Sequence, residues 1–137
     1  MKPGKAYWGY NPYKGAKPKV PDYVKSNLEM QAAKLINTVL KPMHIKPPPE
    51  NPQFNYIVDI YTRWHSRYFY FCATYHCPGE NAIPPSFESK FARIEYIGKD
   101  SFNLSYMRHT GQWEVVFDEL SAAECLEAIK DQPFFCP

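Results

Sequence analysis

The sequence predicts an α+β domain with an N-terminal helix, a five-stranded antiparallel sheet and a C-terminal helix. Two segments carry apolar residues at three- and four-residue spacing, which is the period of a helix face. Five segments between them are rich in alternating aromatic and β-branched residues, and turns containing Gly or Pro separate these segments. A run of strands flanked by helices favours antiparallel pairing with the helices on one side. The 137 residues fit one such domain.

Residues 1–20 form an arm that differs in composition from the rest of the chain, residues 21–137. The arm has five lysines, no acidic residue, and several glycines, prolines and aromatics without a helical or strand period. Subtracting these five lysines from the sixteen Lys and Arg leaves eleven against fourteen Asp and Glu, so residues 21–137 carry a net charge of −3. We therefore expect the arm to supply the basic contact surface. Its candidate partner-binding residues are Lys2, Lys5, Tyr7, Trp8, Tyr10, Tyr13, Lys14 and Lys17.

Two helices are predicted from apolar spacing and from the signals at their ends. The first covers residues 22–40, and Pro42 is expected to end it because proline disfavours a helical conformation in the residue before it. The second begins at a capping box in which Ser121 and Glu124 each bind the other's backbone N–H. This helix is expected to end before Pro133.

Residues 54–77 are predicted to form two long strands that meet in a turn at His65-Ser66. Side chains along a strand point alternately to opposite faces of a sheet. One face of this hairpin is apolar and is expected to join the core, and its members are Phe54, Tyr56, Val58, Ile60, Thr62, Trp64, Phe69, Phe71, Ala73 and Tyr75. The other face mixes aromatic and charged residues, so it needs either a cover or a partner.

The mixed face of the hairpin is a candidate ligand groove. Its aromatic rings suit stacking on a ligand, and Arg63 suits pairing with an anion. The alternative is structural, because a second layer of the protein or cross-strand pairs with Arg63 and Asp59 would also cover the tyrosines. The candidate groove residues are Asp59, Tyr61, Arg63, Tyr68, Tyr70 and His76.

Three further strands are predicted after the hairpin. They cover residues 87–97, 102–109 and 113–117, and a bulge is expected at Gly98 because apolar residues in the third strand compete for the inside. A turn at residues 110–111 joins the last two strands. This turn is expected to pair Leu104 with Phe117, Tyr106 with Val115 and Arg108 with Trp113 on one apolar face.

The sequence contains no recognisable catalytic or phosphate-binding motif. Neither Gly-x-Ser-x-Gly nor a glycine-rich phosphate loop is present. Cys72, His76 and Cys77 are close in sequence, but a zinc site usually has four ligands, and the others would have to come from His65, His109, Cys125 or Cys136. Ordinary core positions explain these residues better. We therefore predict no catalytic residue, no metal and no cofactor.

The cysteines and the absence of targeting segments favour a cytoplasmic protein. Four cysteines occur in a chain with neither a signal peptide nor an apolar run long enough to cross a membrane. Free thiols are the ordinary state of cysteines in such a chain. No membrane contact is expected.

The C-terminal half of the chain, with FARIEYIGKDSFNLSYMRHTGQW followed by AAECLEAIKDQPFFCP, resembles a family of small uncharacterised bacterial proteins. The shared features are Ala-Arg-Ile in one strand, an Arg-x-x-Gly-x-Trp hairpin, a helix with Leu and Ile, and an aromatic end. The resemblance implies a compact α+β domain and carries no known activity.

The composition favours a small non-enzymatic interaction protein. We expect the arm to dock it onto a larger assembly, because lysines and aromatic rings suit either a protein surface or nucleic acid. A nucleic-acid-binding domain is expected to carry its own basic stripe, and on totals residues 21–137 have none. The alternative is a small-molecule binding protein or modest enzyme that uses the candidate groove. A homodimer built edge to edge or across the mixed face is a further alternative.

Overall fold

A meander of five strands lies between two helical segments of the chain. The computed structural model describes residues 18–48, 50, 53–79, 81–82 and 85–137. In chain order, the elements are α1 (Asp22–Leu35), a π-helical turn (Ile36–Leu40), α2 (Lys41–His44), β1 (Tyr56–His65), β2 (Tyr68–His76), β3 (Ser86–Gly98), β4 (Ser101–Met107), β5 (Trp113–Leu120), α3 (Ala122–Asp131) and a 3₁₀ turn (Pro133–Phe135). Each strand pairs antiparallel with the next, in the order β1-β2-β3-β4-β5. The predicted α+β class is confirmed.

The first helical segment extends further than the sequence predicts. After α1, helical backbone continues through the π-helical turn, passes Pro42 and ends at His44. The N–H of Lys41 donates to the carbonyl of Ile36, five residues back instead of the usual four. This wider turn gives the Pro42 ring room that a regular α-helix lacks. The predicted end of the helix at Pro42 is wrong for this reason.

The first hairpin has the predicted inner face over most of its length. Its turn lies at residues 66–67, one residue later than predicted, and Trp64 is paired with Phe69 on the same face. Near the start of β1, an irregular pairing at residues 57–59 changes the alternation. Val58 therefore points outward and is 44% exposed, although the sequence placed it in the core.

Two irregularities in β3 explain how apolar residues that do not alternate along the strand can share the inner face of the sheet. A register shift against β2 allows the consecutive residues Phe91 and Ala92 both to be buried. The predicted bulge at Gly98 is also present, as a register shift against β4. The turn that follows has positive φ at both Lys99 and Asp100 (54° and 55°), as a two-residue type I′ hairpin requires.

A one-residue shift between β4 and β5 changes the face on which part of β5 lies. The predicted pairing of Leu104 with Phe117 is present. Beyond it the register shifts, so that Ser105 faces Val115 and Trp113 no longer shares the face of Leu104. The prediction that Trp113 and Val115 belong to the inner apolar face is therefore wrong. A slip of one residue moves side chains to the opposite face of a sheet.

One face of the sheet carries the hydrophobic core. α1, the π-helical turn and α3 bury their apolar side chains in a single cluster with that face. Burying a large apolar side chain contributes about 1.5–3 kcal/mol to folding. The largest fully buried aliphatic and aromatic side chains are Leu28, Ile60, Phe69, Phe71, Ile94, Leu104 and Ile129.

The C-terminal helix begins at the predicted capping box. The Oγ of Ser121 accepts a hydrogen bond from the N–H of Glu124 at 3.1 Å, and the Glu124 carboxylate accepts one from the N–H of Ser121 at 2.8 Å. After α3 the chain turns back, and Phe135 is buried at 2% exposure whereas Phe134 stays 45% exposed.

Candidate functional site

The face of the sheet opposite α1 and α3, which we call the open face, carries no helix among the described residues. Its tyrosines are half-buried and Arg63 is exposed, so this surface meets water. Aromatic and charged side chains occupy its first three strands, and smaller or apolar ones occupy most of the last two. Its members are Tyr61, Arg63, Arg67, Tyr68, Tyr70, Cys72, Glu88, Lys90, Arg93, Glu95, Asn103, Ser105, Met107, Trp113 and Val115.

Arg93 lies at the centre of the open face, between two aromatic rings. Its guanidinium carbon is 4.5 Å from the centre of the Tyr68 ring and 5.1 Å from the Trp113 ring. These contacts are attractive because the face of an aromatic ring is negative. The Nε of Arg93 is buried and has no hydrogen-bond partner among the described residues. Within the same residues, Arg93 also forms no ion pair with a carboxylate.

Tyr70 completes an aromatic cluster with these two rings. Its ring centre is 6.2 Å from that of Tyr68 and 5.8 Å from that of Trp113, and the Nζ of Lys90 lies 5.2 Å above it. β3 and β4 separate the strands that carry Tyr70 and Trp113. The two rings nevertheless meet across these strands, and Ser105, the β4 residue paired with both Arg93 and Val115, is only 1% exposed. The cluster therefore covers the middle of the open face.

Two other arginines of the open face have carboxylate partners. The terminal nitrogens of Arg63 donate to both oxygens of Glu88, at 2.9 and 3.0 Å, which is the bidentate geometry of a strong pair. The hydroxyl of Tyr61 donates to the same carboxylate. The Nε of Arg67 donates to Glu95 at 2.8 Å. These arginines thus differ from Arg93 in being neutralised locally.

The open face also contains two groups whose pKa is raised. Burial, followed by the hydrogen bond to Glu88, raises the pKa of Tyr61 to about 12. Burial raises the pKa of the Cys72 thiol to about 11. Cys72 is fully buried. Both groups therefore stay neutral near pH 7, and Cys72 lacks the exposed thiolate that a nucleophile needs.

Charge is distributed unevenly between the open face and the helices. α1 and α3 together contain five Asp and Glu against three Lys, a net charge of −2. Around the rings of the open face the net charge is +2, from Arg67, Lys90 and Arg93 against Glu95, whereas Asp59 and Asp118 lie away from these rings. The total of −3 for residues 21–137 therefore does not describe this surface. The folded domain therefore has a locally basic patch, although the total charge of residues 21–137 is negative.

The six predicted groove residues lie in three different settings. The three tyrosines and Arg63 lie on the open face. Asp59 instead pairs with Lys41 of α2 at 3.3 Å. His76 lies against Tyr56, with ring centres 5.3 Å apart. By alternation from the buried Ile60 and Ala73, Asp59 and His76 stay on the same side of the sheet as these four residues, but at the end of the hairpin away from Tyr68.

The eight candidate partner-binding residues of the arm, from Lys2 to Lys17, lie outside the described residues, which begin at Pro18. Pro18 itself lies against the β3–β4 turn, with its Cγ 3.4 Å from the position a Cβ would take at Gly98. The arm therefore joins the domain at the end of the sheet where β3 finishes. Its partner-binding role stays a prediction.

Three residues of the aromatic and cationic cluster were not among the predicted site residues. Lys90 and Arg93 could have been assigned to the outer face of the sheet from the sequence. They are charged residues in a strand that also contains the apolar residues Ala92 and Ile94. No such signal existed for Trp113, since its face depends on the one-residue shift between β4 and β5.

A cleft of about 430 Å³ lies where the open face meets the β3–β4 turn. Strands β3, β4 and β5 line it, with Asn103, Val115 and Asp118 among its residues. The side-chain oxygen of Asn103 accepts a hydrogen bond from the N–H of Glu119 at 3.2 Å, which fixes the orientation of this amide.

The described part of the chain has neither a metal-binding cluster nor a membrane-spanning helix. No three or more His, Cys, Asp or Glu side chains lie together there in a way that suits a metal ion. Cys72, Cys77, Cys125 and Cys136 are free thiols. No helix there has the length and apolar character needed to cross a membrane.

Comparison with known protein families gives a match over most of the chain. DUF3024, described as a domain of unknown function, matches residues 20–137. The chain belongs to this family. The DUF3024 match includes the first helical segment and the first hairpin, so it extends well beyond the C-terminal half to which the sequence resemblance was limited. It carries no information on source organisms. No curated protein matches the chain, and no solved structure does.

Proposed function

We propose that this DUF3024 protein is a non-enzymatic interaction protein that docks onto a larger assembly, of protein or nucleic acid. The open face supplies one contact surface and the arm supplies a second. The observation that carries the proposal is Arg93, held between Tyr68 and Trp113 with a buried Nε and no carboxylate partner among the described residues.

The environment of Arg93 favours a partner over a purely structural role. A buried donor without an acceptor costs about 1–3 kcal/mol, which a structural arginine would avoid by pairing as Arg63 does. An incoming anion would supply the counter-charge that the guanidinium of Arg93 lacks among the described residues. Arg, Tyr and Trp are also the residues that dominate binding energy in interfaces. The ring cluster is therefore well suited to be the centre of a contact surface.

The arm extends the same chemistry beyond the domain. Its four lysines before Pro18 add positive charge, and its tyrosines and tryptophan add aromatic contact area. We place the protein in the cytoplasm, because its four cysteines are free thiols and a reducing compartment keeps them so.

Co-sedimentation in a cell extract tests the docking. A tagged full-length chain of 16.0 kDa is expected to migrate with much larger complexes in a density gradient. The variant Lys90→Gln/Arg93→Gln and a chain lacking residues 1–17 are each expected to shift toward the top. The matched control is Lys34→Gln/Lys130→Gln, which removes the same charge from α1 and α3 and should sediment like the unmodified chain.

Two results would contradict the proposal. If the full-length chain itself stays at the top of the gradient, no assembly has been engaged. If both the truncated chain and the open-face variant sediment undiminished, neither surface is responsible. Light scattering on the purified chain separates a homodimer from docking onto another molecule.

The cleft beside the open face favours one alternative function. Its volume of about 430 Å³ is in the range of small-molecule sites. A small-molecule binding protein or modest enzyme that uses this cleft would then lose its ligand when Asp118→Asn is introduced, with thermal stability nearly unchanged. The candidate groove over the first hairpin is a separate surface, and Arg63→Ala and Tyr70→Phe test it in the same way. Loss of folding in these variants would instead assign the residues a structural role.

A further inference from the structure

We infer that the open face binds single-stranded nucleic acid, with bases stacked on Tyr70 and Trp113 and phosphates held by Lys90 and Arg93. The inference rests on the proposed function and specifies the chemical class of its partner. It goes against the expectation from net charge, which assigned basic contacts to the arm alone.

The rings distinguish nucleic acid from an acidic peptide. An acidic peptide would pair with the cations of the open face and leave its aromatic surface without matched partners. The Tyr70 and Trp113 ring centres are 5.8 Å apart and their planes differ by 48°, so the rings present two differently tilted surfaces. Unpaired bases have flat faces that stack on such rings regardless of base identity.

The cations lie where phosphates of a stacked strand would reach them. Lys90 is 5.2 Å from the Tyr70 ring and Arg93 is 5.1 Å from the Trp113 ring, so each stacking surface has its own positive charge. In a single strand each base is likewise joined to its own phosphate. A phosphate oxygen would also accept from Arg93, which lacks a carboxylate partner within the described residues. A duplex hides the faces of its bases, so it is expected to bind less tightly.

The arm is a second source of positive charge for binding nucleic acid. Pro18 lies against the β3–β4 turn, at the end of the sheet that carries Tyr68 and Glu95, and four lysines precede it in the sequence. Added lysines strengthen binding of any polyanion without reading its sequence. The arm is therefore expected to increase affinity, while the open face sets the preference for unpaired bases.

Fluorescence anisotropy with a labelled, mixed-sequence oligonucleotide of about twelve nucleotides, as RNA and as DNA, tests the inference on the full chain. Trp113→Ala is expected to weaken binding about tenfold or more, which is what loss of one stacked base produces. Trp113→Phe keeps a ring and should retain most of the affinity. Thermal unfolding of each variant checks that the fold is intact. A matching duplex and poly-glutamate serve as competitors and are expected to compete poorly.

The salt dependence supplies a second readout that a structural defect would not imitate. Lys90→Gln/Arg93→Gln is expected to reduce the slope of log Kd against log salt by about 1.4, because two phosphate contacts are lost at about 0.7 each. Lys34→Gln/Lys130→Gln should leave the slope unchanged. An unchanged slope for the open-face variant would overturn the assignment of these two cations.

The outcomes separate this inference from the proposed function. If no single strand binds the full chain at low salt, or if poly-glutamate competes as well as the oligonucleotide, the inference is wrong while docking onto an assembly is judged by the gradient alone. If removal of residues 1–17 abolishes binding and Trp113→Ala has no effect, nucleic acid binds the arm and the inference about the open face is wrong.

Discussion

The two faces of the sheet both bury aromatic rings, but different atoms cover those rings. On the helix-covered face, Phe69 and Phe71 are fully buried in the apolar cluster that includes α1 and α3. On the open face, Tyr68 and Tyr70 are half-buried and are covered by arginine and lysine. A ring buried among apolar side chains contributes only to stability. A ring in contact with an arginine or lysine also keeps a positive charge at the surface. Consecutive residues of β2 therefore alternate between core side chains and side chains that contact a cation at the surface.

The largest expected contrast is between adjacent substitutions on β2. Phe69→Ala removes a fully buried ring that packs 4.8 Å from Trp64, and it is expected to lower the free energy of unfolding by about 3–5 kcal/mol. Tyr70→Phe removes only a hydroxyl from the open face and should change it by less than about 0.5 kcal/mol. Urea denaturation followed by circular dichroism measures both. Similar losses for the two variants would mean that the faces do not differ as described.

A second contrast concerns two thiols. Cys72 on the open face is fully buried with a pKa raised from 9.0 to about 11, whereas Cys136 is exposed. At pH 8 the thiolate fraction of Cys72 is lower than that of an ordinary thiol by about a hundredfold. Iodoacetamide is therefore expected to modify Cys136 at least about a hundredfold faster, as peptide mass spectrometry would measure.

The same shift in the pKa of Cys72 has a consequence for stability. Because the folded-state pKa is raised, the buried thiol contributes stability that is complete below pH 9 and is lost as the pH rises toward about 11.

Unfolding in urea is the control for the iodoacetamide experiment, since it should bring Cys72 and Cys136 to similar rates of modification. Equal rates in the folded protein would show that the side chains of the open face do not cover Cys72.

A smaller effect is expected in the helical layer. Ser121→Ala removes the oxygen that accepts from the N–H of Glu124, and it should cost about 1 kcal/mol of stability. Ser26→Ala, at an exposed position inside α1, is the matched control and should be neutral or slightly stabilising. Neither substitution should alter binding of a partner. A loss of binding in the folded Ser121→Ala protein would connect the helical layer to the contact surface.

The sequence predicts the elements of this fold well because their signals are local. Alternation identified β1 and β2, and the capping box at Ser121 identified the start of α3. Bulges are different, since they depend on how two strands pair and not on one strand alone. The shift between β4 and β5 moved Trp113 to the open face, and no residue pattern within β5 indicated it.

The candidate site was predictable in part for the same reason. Alternation placed Tyr61, Arg63, Tyr68 and Tyr70 on one face, where the structure also has them. Arg93 and its position between two rings depend on contacts between β2, β3 and β5, which sequence spacing does not give. Net charge was misleading because the acidic residues of α1 and α3 offset the basic ones of the open face.

Hydroxyl-radical footprinting of the full chain, free and saturated with the single-stranded oligonucleotide, tests most directly whether the open face is the binding surface. Oxidation of Tyr68, Tyr70 and Trp113 is expected to fall on binding. Tyr23, which is 65% exposed on α1, should be oxidised at the same rate in both states. Protection of Tyr23, with unchanged oxidation of the three open-face rings, would contradict the account.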